Sequence, residues 1–112
     1  MILPDDENSE VLRRMAANGD DLTQQRNIDF TVVFADESSA NSFIEHFRAL
    51  GYEASCKHSE VKSDLPWDAI IVKTMVPTHN AIGEFEDLLQ EVADLFGGVN
   101  DGWGCFSVPV AH

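Results

Sequence analysis

Apolar residues recur along the chain with two different periods, and the changes of period mark the predicted elements. Alternate residues from Ile28 onward are apolar, and β-branched and aromatic types predominate, which predicts a strand over residues 28–35. After Asp36, which suits a helix N-cap, the spacing becomes helical and ends at Gly51. The inner face of this helix is expected to carry Ala40, Phe43, Ile44, Phe47 and Leu50.

Further elements are predicted on both sides of this unit. Residues 5–18 suit a helix, with acids at its start, arginines toward its end and Gly19 as its stop. A polar connector follows over residues 20–27. Residues 52–58 alternate as a half-exposed strand, and residues 67–76 contain a run that is apolar on both faces, as expected of a central strand.

The last third of the chain predicts a helix and a short closing strand. Thr78 or Asn80 can cap the helix, Gly97-Gly98 ends it, and residues 103–108 form the strand. The helix is expected to bury Ile82, Phe85, Leu88, Leu89, Val92, Leu95 and Phe96. A leading helix followed by β-α-β-β-α-β predicts an α+β, ferredoxin-like sandwich. Its antiparallel four-stranded sheet would have the order 4-1-3-2, with two helices on one face.

Length and charge narrow the class of protein. The 112 residues suit one domain, residues 1–112, with an N-terminal helix and connector at 1–27 and a ferredoxin-like core at 28–108. A formal net charge of −13 repels phosphate backbones, so we expect a basic protein partner and no direct nucleic-acid binding. The alternative is that the charge only keeps the protein soluble.

The compartment is expected to be the cytoplasm. The chain has no positively charged start followed by an apolar run, as a signal peptide would have. It also lacks an apolar stretch near the ~20 residues that a membrane-spanning helix needs, so no membrane association is expected.

No residues have the spacing of a catalytic centre, so we expect a protein that is not an enzyme and needs no cofactor. Cys105 lacks a nearby cation in sequence to stabilise a thiolate, because no Lys or Arg follows Lys73. Cys56 and His58 would share one strand face and can in principle contribute to a metal site. A metal- or small-molecule-binding domain, with its ligand at this pair or on the open sheet face, is therefore the alternative.

Four acidic residues of the last helix form the best organised polar feature. They are spaced three, four and three apart, which aligns them in one ridge opposite the apolar stripe: Glu84, Asp87, Glu91 and Asp94. Like charges at these spacings weaken a helix by roughly a few tenths of a kcal/mol per pair. Recognition of a basic or arginine-rich segment explains this arrangement, and a merely solvated helix face is the alternative.

The run Asp101-Gly102-Trp103-Gly104 predicts a turn that holds a large aromatic ring. Asp-Gly favours a tight turn, and Gly104 suggests a position where another group passes closely. Trp103 is either an interface anchor or a core residue, and we expect a ring that packs on the last helix with its indole edge at the surface. Asp101 and Trp103 therefore join the four acidic residues as candidate partner-binding residues.

Three segments resemble the bacterial regulator of ribonuclease activity B family, the protein inhibitors of ribonuclease E. They are Asp101-Gly102-Trp103-Gly104 with Phe106, the Leu50-Gly51-Tyr52-Glu53 junction, and the Ile28-Asp29-Phe30 strand start. The order of elements agrees over residues 9–108. The resemblance implies a ferredoxin-type sandwich with an added N-terminal helix and no catalytic residues. It also implies binding to the non-catalytic scaffold of an RNA-degrading endoribonuclease, such as ribonuclease E, whose activity would be modulated or inhibited.

Overall fold

A computed structural model describes residues 7–59 and 64–105, and these form three helices and one four-stranded sheet. In chain order the elements are α1 (Glu7–Ala17), β1 (Arg26–Phe34), α2 (Glu37–Ala49), β2 (Glu53–His58), β3 (Trp67–Met75), α3 (His79–Ala93) and β4 (Val99–Cys105). In the described part of the chain, no helix is both long and apolar enough to cross a membrane.

The sheet is antiparallel throughout, with the strand order β2-β3-β1-β4. Taken from the other edge this is the predicted order 4-1-3-2, and the central position of β3 is confirmed. The long β1–β3 ladder runs from the pair Arg26–Met75 to the pair Phe34–Trp67. Membership of the ferredoxin-like class itself stays a prediction.

Aromatic side chains fill the space between the sheet and the two longer helices. The rings of Phe30 on β1 and Phe85 on α3 lie 4.7 Å apart, and those of Phe34 and Phe43 on α2 lie 5.1 Å apart. Phe47 on α2 lies 6.4 Å from Phe85. Both helices therefore pack on the face of β1 that carries its alternate apolar residues, as the strand period predicts.

The helix caps predicted from sequence are confirmed. Asp36 Oδ1 accepts a hydrogen bond from the backbone N–H of Ser39 at 2.8 Å, and Thr78 Oγ1 accepts one from Ala81 at 3.1 Å. Each cap satisfies a backbone donor that has no partner inside its helix. Thr78, and not Asn80, is thus the residue that caps the start of α3.

Three leucines expected in the core are exposed. Leu50, Leu88 and Leu95 have 60%, 40% and 74% of their surface exposed, so the prediction for these three was wrong. Leu50 and Leu95 lie beyond the last helical residues of α2 and α3, where the helical period no longer holds. Leu88 lies within α3 at the edge of its buried face. The other apolar positions predicted for α2, and Ile82, Phe85, Leu89 and Val92 of α3, are buried.

The connector between α1 and β1 is fixed by a buried ion pair. Arg26 Nη1 lies 2.7 Å from both carboxylate oxygens of Asp20, and Arg26 Nη2 donates to the backbone carbonyl of Asp21 at 2.7 Å. The Arg26 and Asp20 side chains are 5% and 1% exposed. Because Arg26 is the first residue of β1, this pair anchors the N-terminal segment to the sheet. The sequence reasoning missed it.

Candidate binding site at the junction of α1, α3 and β4

Asp101 and Gly102 form a bulge inside β4, so the predicted turn at these residues was wrong. Phe30 pairs with Trp103 and Val32 with Asn100, which leaves two β4 residues opposite one β1 residue. Gly102 has a φ of 101°, a value that suits glycine, and β-bulges often place a glycine in such a conformation. A turn and a bulge thus make the same demand on the residue type. The strand begins at Val99, before its predicted start at Trp103, and its predicted end at Val108 lies outside the described residues.

The second predicted glycine position also differs from the structure. A Cβ atom at Gly104 would meet nothing within 4 Å, so the close approach predicted there was wrong. The close approach lies instead at Gly98, where a Cβ atom would overlap the ring of Phe34. Gly98 therefore lets the chain that leaves α3 pass over the aromatic core.

Trp103 connects β4 to the N-terminal helix. Its pairing with Phe30 directs the side chain to the helix-covered side of the sheet, where it is half-buried. The indole Nε1–H donates to Asn8 Oδ1 of α1 at 2.9 Å. The N–H edge of the ring therefore contacts α1, whereas the sequence reasoning placed the indole edge at the surface.

Glu86 of α3 links the three elements. Its Oε1 accepts a hydrogen bond from Asn8 Nδ2 and its Oε2 accepts one from Asn100 Nδ2, both at 2.7 Å. Asn100 Oδ1 in turn accepts from the backbone N–H of Gly102 at 3.2 Å. A half-buried carboxylate on α3 is thus held by one amide from α1 and one from β4. The sequence reasoning singled out neither Glu86 nor the two asparagines.

Gln90, one helical turn after Glu86, fixes the end of α3 against β4. Its Oε1 accepts from the backbone N–H of Asn100 at 2.8 Å. Its Nε2 donates to Asp94 Oδ1 at 2.7 Å and to the Gly98 carbonyl at 3.1 Å. This glutamine connects the acidic residue at the end of α3 to the network around Glu86.

The network forms the floor of an open cleft of about 550 Å³. The cleft is lined by residues from all three elements: Asn8, Val11, Glu86, Asn100, Asp101, Gly102 and Trp103. Two of the six candidate residues, Asp101 and Trp103, therefore lie in one site. The other four lie on the neighbouring outer face of α3.

The acidic ridge, defined as Glu84, Asp87, Glu91 and Asp94, is exposed along its whole length. The first three residues belong to α3, and Asp94 is its C-cap. Within residues 7–59 and 64–105, no lysine or arginine forms an ion pair with a ridge carboxylate. Two exposed leucines lie near the ridge in sequence: Leu88 follows Asp87 on α3, and Leu95 follows the C-cap Asp94.

The cysteines have the character of packed residues. Cys105 pairs with Ile28 across the sheet, which brings it beside Arg26, so a cation lies closer than its sequence neighbourhood indicates. Burial nevertheless raises the pKa of the Cys105 thiol, although Arg26 acts in the opposite direction. The pKa of Cys56 is also raised, first by burial and then by the charges of Glu37 and Asp68. A raised pKa reduces the thiolate fraction, which is the form that attacks or binds metal.

The pair proposed as an alternative metal site is not joined by further ligands in the described part of the chain. No group of three or more His, Cys, Asp or Glu residues there is arranged to hold a metal ion. The ring of His58 lies edge-on against Trp67, with ring centres 5.0 Å apart.

A comparison with families of known proteins identifies the domain. The sequence model of the family described as regulator of ribonuclease activity B matches residues 5–105. The chain belongs to this family. The resemblance found in the sequence is therefore confirmed at the level of the family, whose description names a regulator of ribonuclease activity and not an enzyme. A search of curated proteins found no match.

The match to the regulator of ribonuclease activity B family includes α1 and the connector together with the sheet and the two longer helices. Every residue that lines the cleft lies within the matched span. The junction of α1, α3 and β4 is thus part of the domain that the family model describes.

Proposed function

We propose that this protein is a non-enzymatic regulator that binds an RNA-degrading endoribonuclease, such as ribonuclease E, and inhibits it. The family description supports a regulatory role toward a ribonuclease. We place the binding surface on the outer side of α3 and its C-terminal end. The observation that supports this position is that the acidic ridge and two exposed leucines occur together there.

This combination suits a basic protein segment. Protein interfaces have an apolar centre and a polar rim, and charge complementarity steers the partners together and fixes their orientation. Leu88 and Leu95 supply apolar contacts, and the ridge supplies negative charge at their side. A basic amphipathic or arginine-rich segment of the nuclease would pair with both, whereas RNA itself would be repelled.

The neighbouring cleft extends this surface. Asp101 and Trp103 lie beside α3 because the amides of Asn100 bind Glu86 and Gln90. We therefore assign all six candidate residues to one partner-binding surface that spans α3 and β4. Regulation then results from occupying the nuclease scaffold, with no catalytic residue or cofactor contributed by this chain.

The cellular compartment and the fold class are assigned as part of the same proposal. We place the protein in the cytoplasm of a bacterium, where RNA-degrading enzymes act, and we class the fold as a ferredoxin-like sandwich with an added N-terminal helix. The strand order β2-β3-β1-β4 and the antiparallel pairing support this class.

Charge reversal of the ridge tests the proposal. Replacing the four ridge residues by lysine should reduce affinity for purified ribonuclease E at least about tenfold, since close charge pairs determine much of such binding. The matched control reverses four exposed carboxylates on other elements: Asp29, Glu37, Glu45 and Glu53. Calorimetric titration and a transcript-cleavage assay give the two measurements.

The two variants separate a specific surface from general charge. Loss of binding and of inhibition in the ridge variant, with both retained in the control, supports the proposal. Equal loss in both variants shows that only net charge matters. Full binding by the ridge variant shows that the ridge is a solvated face, and failure of the parent protein to bind the nuclease refutes the functional proposal itself.

A further inference from the structure

The polar groups in the cleft at α1, α3 and β4 have more unused acceptors than donors. A carboxylate has about four lone-pair sites, and Glu86 uses one on each oxygen for Asn8 and Asn100. The side-chain oxygens of the two asparagines each accept one hydrogen bond and have a second lone pair. Each asparagine has only one further N–H. The cleft therefore selects a ligand that is rich in donors.

The charge of the cleft selects a cation. Glu86 is half-buried, and its hydrogen-bond partners in the described chain are neutral amides. None of the residues that line the cleft is basic, and Asp101 adds a second carboxylate at the exposed side. A cation that entered would therefore meet the Glu86 carboxylate, which two hydrogen bonds already orient, and an incoming phosphate would be repelled.

Trp103 supplies an aromatic wall whose orientation is fixed. The hydrogen bond to Asn8 and the pairing with Phe30 hold the indole in place without blocking the cleft that it lines. Indole is the best aromatic partner for a cation within about 6 Å of its ring centre. A guanidinium group is planar, stacks on such rings and has five donors in a fork that matches a carboxylate.

We propose that this cleft is a receptor for an arginine side chain of the partner protein. The guanidinium lies against Trp103 and donates to Glu86, and the aliphatic part of the side chain contacts Val11. The cleft volume of about 550 Å³ lies in the range of pockets that bind small ligands, about 300–1,000 Å³, and so admits one side chain with its flanking backbone. This proposal rests on the proposed function, because it names the group by which the nuclease partner is recognised.

Short synthetic peptides test the proposal without the nuclease. The probe is an eight-residue peptide of alternating glycine and arginine, compared with peptides in which lysine or neutral citrulline replaces arginine. Binding is followed by the ¹⁵N–¹H resonance of the Trp103 indole, assigned with a Trp67→Phe variant. We expect the arginine peptide to shift this resonance and to bind at least about tenfold more tightly than the citrulline peptide, since charge-assisted hydrogen bonds are the stronger ones.

Two single-charge variants separate the cleft from the general field of the protein. Glu86→Gln should weaken arginine binding by about tenfold. Glu53→Gln removes the same charge from an exposed position on β2 and should leave binding unchanged. Asp101→Asn, an exposed change in the same cleft, gives a second variant if Glu86→Gln impairs folding. It should weaken binding by about threefold, because an exposed carboxylate contributes less.

The outcomes also separate this proposal from the proposed function. Equal binding of the arginine and citrulline peptides, or equal effects of Glu86→Gln and Glu53→Gln, would overturn the arginine receptor. Normal nuclease binding by Glu86→Gln would also overturn it and would leave the role of the ridge intact. Specific binding of the arginine peptide by a protein that fails to bind the nuclease would support the receptor and refute the nuclease as partner.

Discussion

Truncation of Trp103 to alanine is the change that most directly tests the junction of α1, α3 and β4. The substitution removes a half-buried indole and its hydrogen bond to Asn8, while β4 keeps its backbone pairing with β1. It therefore removes a direct hydrogen bond between a side chain of β4 and a side chain of α1.

The structure sets the expected size of the effect. Replacing a core tryptophan by alanine costs about 3–5 kcal/mol, and a half-buried ring should lose roughly half of that. The hydrogen bond contributes about 0.5–1.5 kcal/mol, with the low end favoured because water can reach the half-buried Asn8. We expect a total loss of about 2–3 kcal/mol in the free energy of unfolding. In a domain of 112 residues this lowers the melting temperature by roughly 10 °C.

Urea denaturation measures this loss, and a double-mutant cycle isolates the hydrogen bond. Trp103→Phe keeps a ring but lacks the donor, and Asn8→Ala lacks the acceptor. The coupling energy between the two changes should be about 0.5 kcal/mol. A Trp103→Ala variant that loses less than about 0.5 kcal/mol would contradict the packing argument, because that is the effect of an ordinary surface substitution. A coupling energy near zero would show that the hydrogen bond contributes nothing.

Three further predictions concern packing, charge and thiol chemistry. Gly98→Ala should lower the free energy of unfolding by about 1–3 kcal/mol, because the added methyl group forces the ring of Phe34 to move. Gly83→Ala inside α3 has open space around it and should raise the free energy of unfolding by about 0.5–1 kcal/mol. Thermal unfolding measures both changes. Asp20→Asn should cost about 3–5 kcal/mol because it leaves a buried arginine without its carboxylate. Glu45→Gln breaks an exposed pair and should cost less than about 0.5 kcal/mol. Both cysteines should react with iodoacetamide more slowly than a free thiol at pH 8, because burial raises their pKa and so lowers the thiolate fraction. For the same reason, their reactivity should rise at a higher pH than that of an ordinary cysteine. Reaction at the rate of the unfolded chain would refute this.

Most of the architecture was predictable because local signals determine it. Strand period, helix period and capping residues each act over a few residues, and together they give the observed elements and strand order. The signals fail where two structures make the same local demand. Asp101-Gly102 needs a glycine with positive φ, and this requirement is met by a bulge as well as by a turn.

Hydrophobic periodicity identifies a helix but does not tell which apolar residues lie at the edge of its buried face. Leu88 and Leu95 fit the apolar spacing of the predicted last helix, yet both are exposed, and Leu95 lies beyond the end of α3. Their exposure was not visible in the sequence because it depends on where α3 ends and on which side chains other elements cover. Once known, it changes the interpretation of the acidic ridge from a purely charged surface to one with apolar contacts.

The polar network could not have been predicted because its members are far apart in sequence. Asn8 and Trp103 are separated by 95 positions, and an asparagine in a helix carries no local signal of a distant partner. Glu86 was passed over for a related reason. It lies among the four better aligned carboxylates of the ridge in sequence, and only the structure shows that its two oxygens are bound by amides of other elements.

The N-terminal helix therefore belongs to the candidate site as well as to the fold. A division of the chain into residues 1–27 and 28–108 separates Asn8 and Val11 from the other residues that line the cleft. Removing α1 would take away one of the two amide donors that bind Glu86 and the only side-chain acceptor shown for the Trp103 indole, and it would open one wall of the cleft. Because burying polar groups without partners costs free energy, those side chains would turn toward water and lose their alignment. A chain shortened to the sheet and its two packed helices should thus lose arginine recognition even where it keeps the acidic ridge.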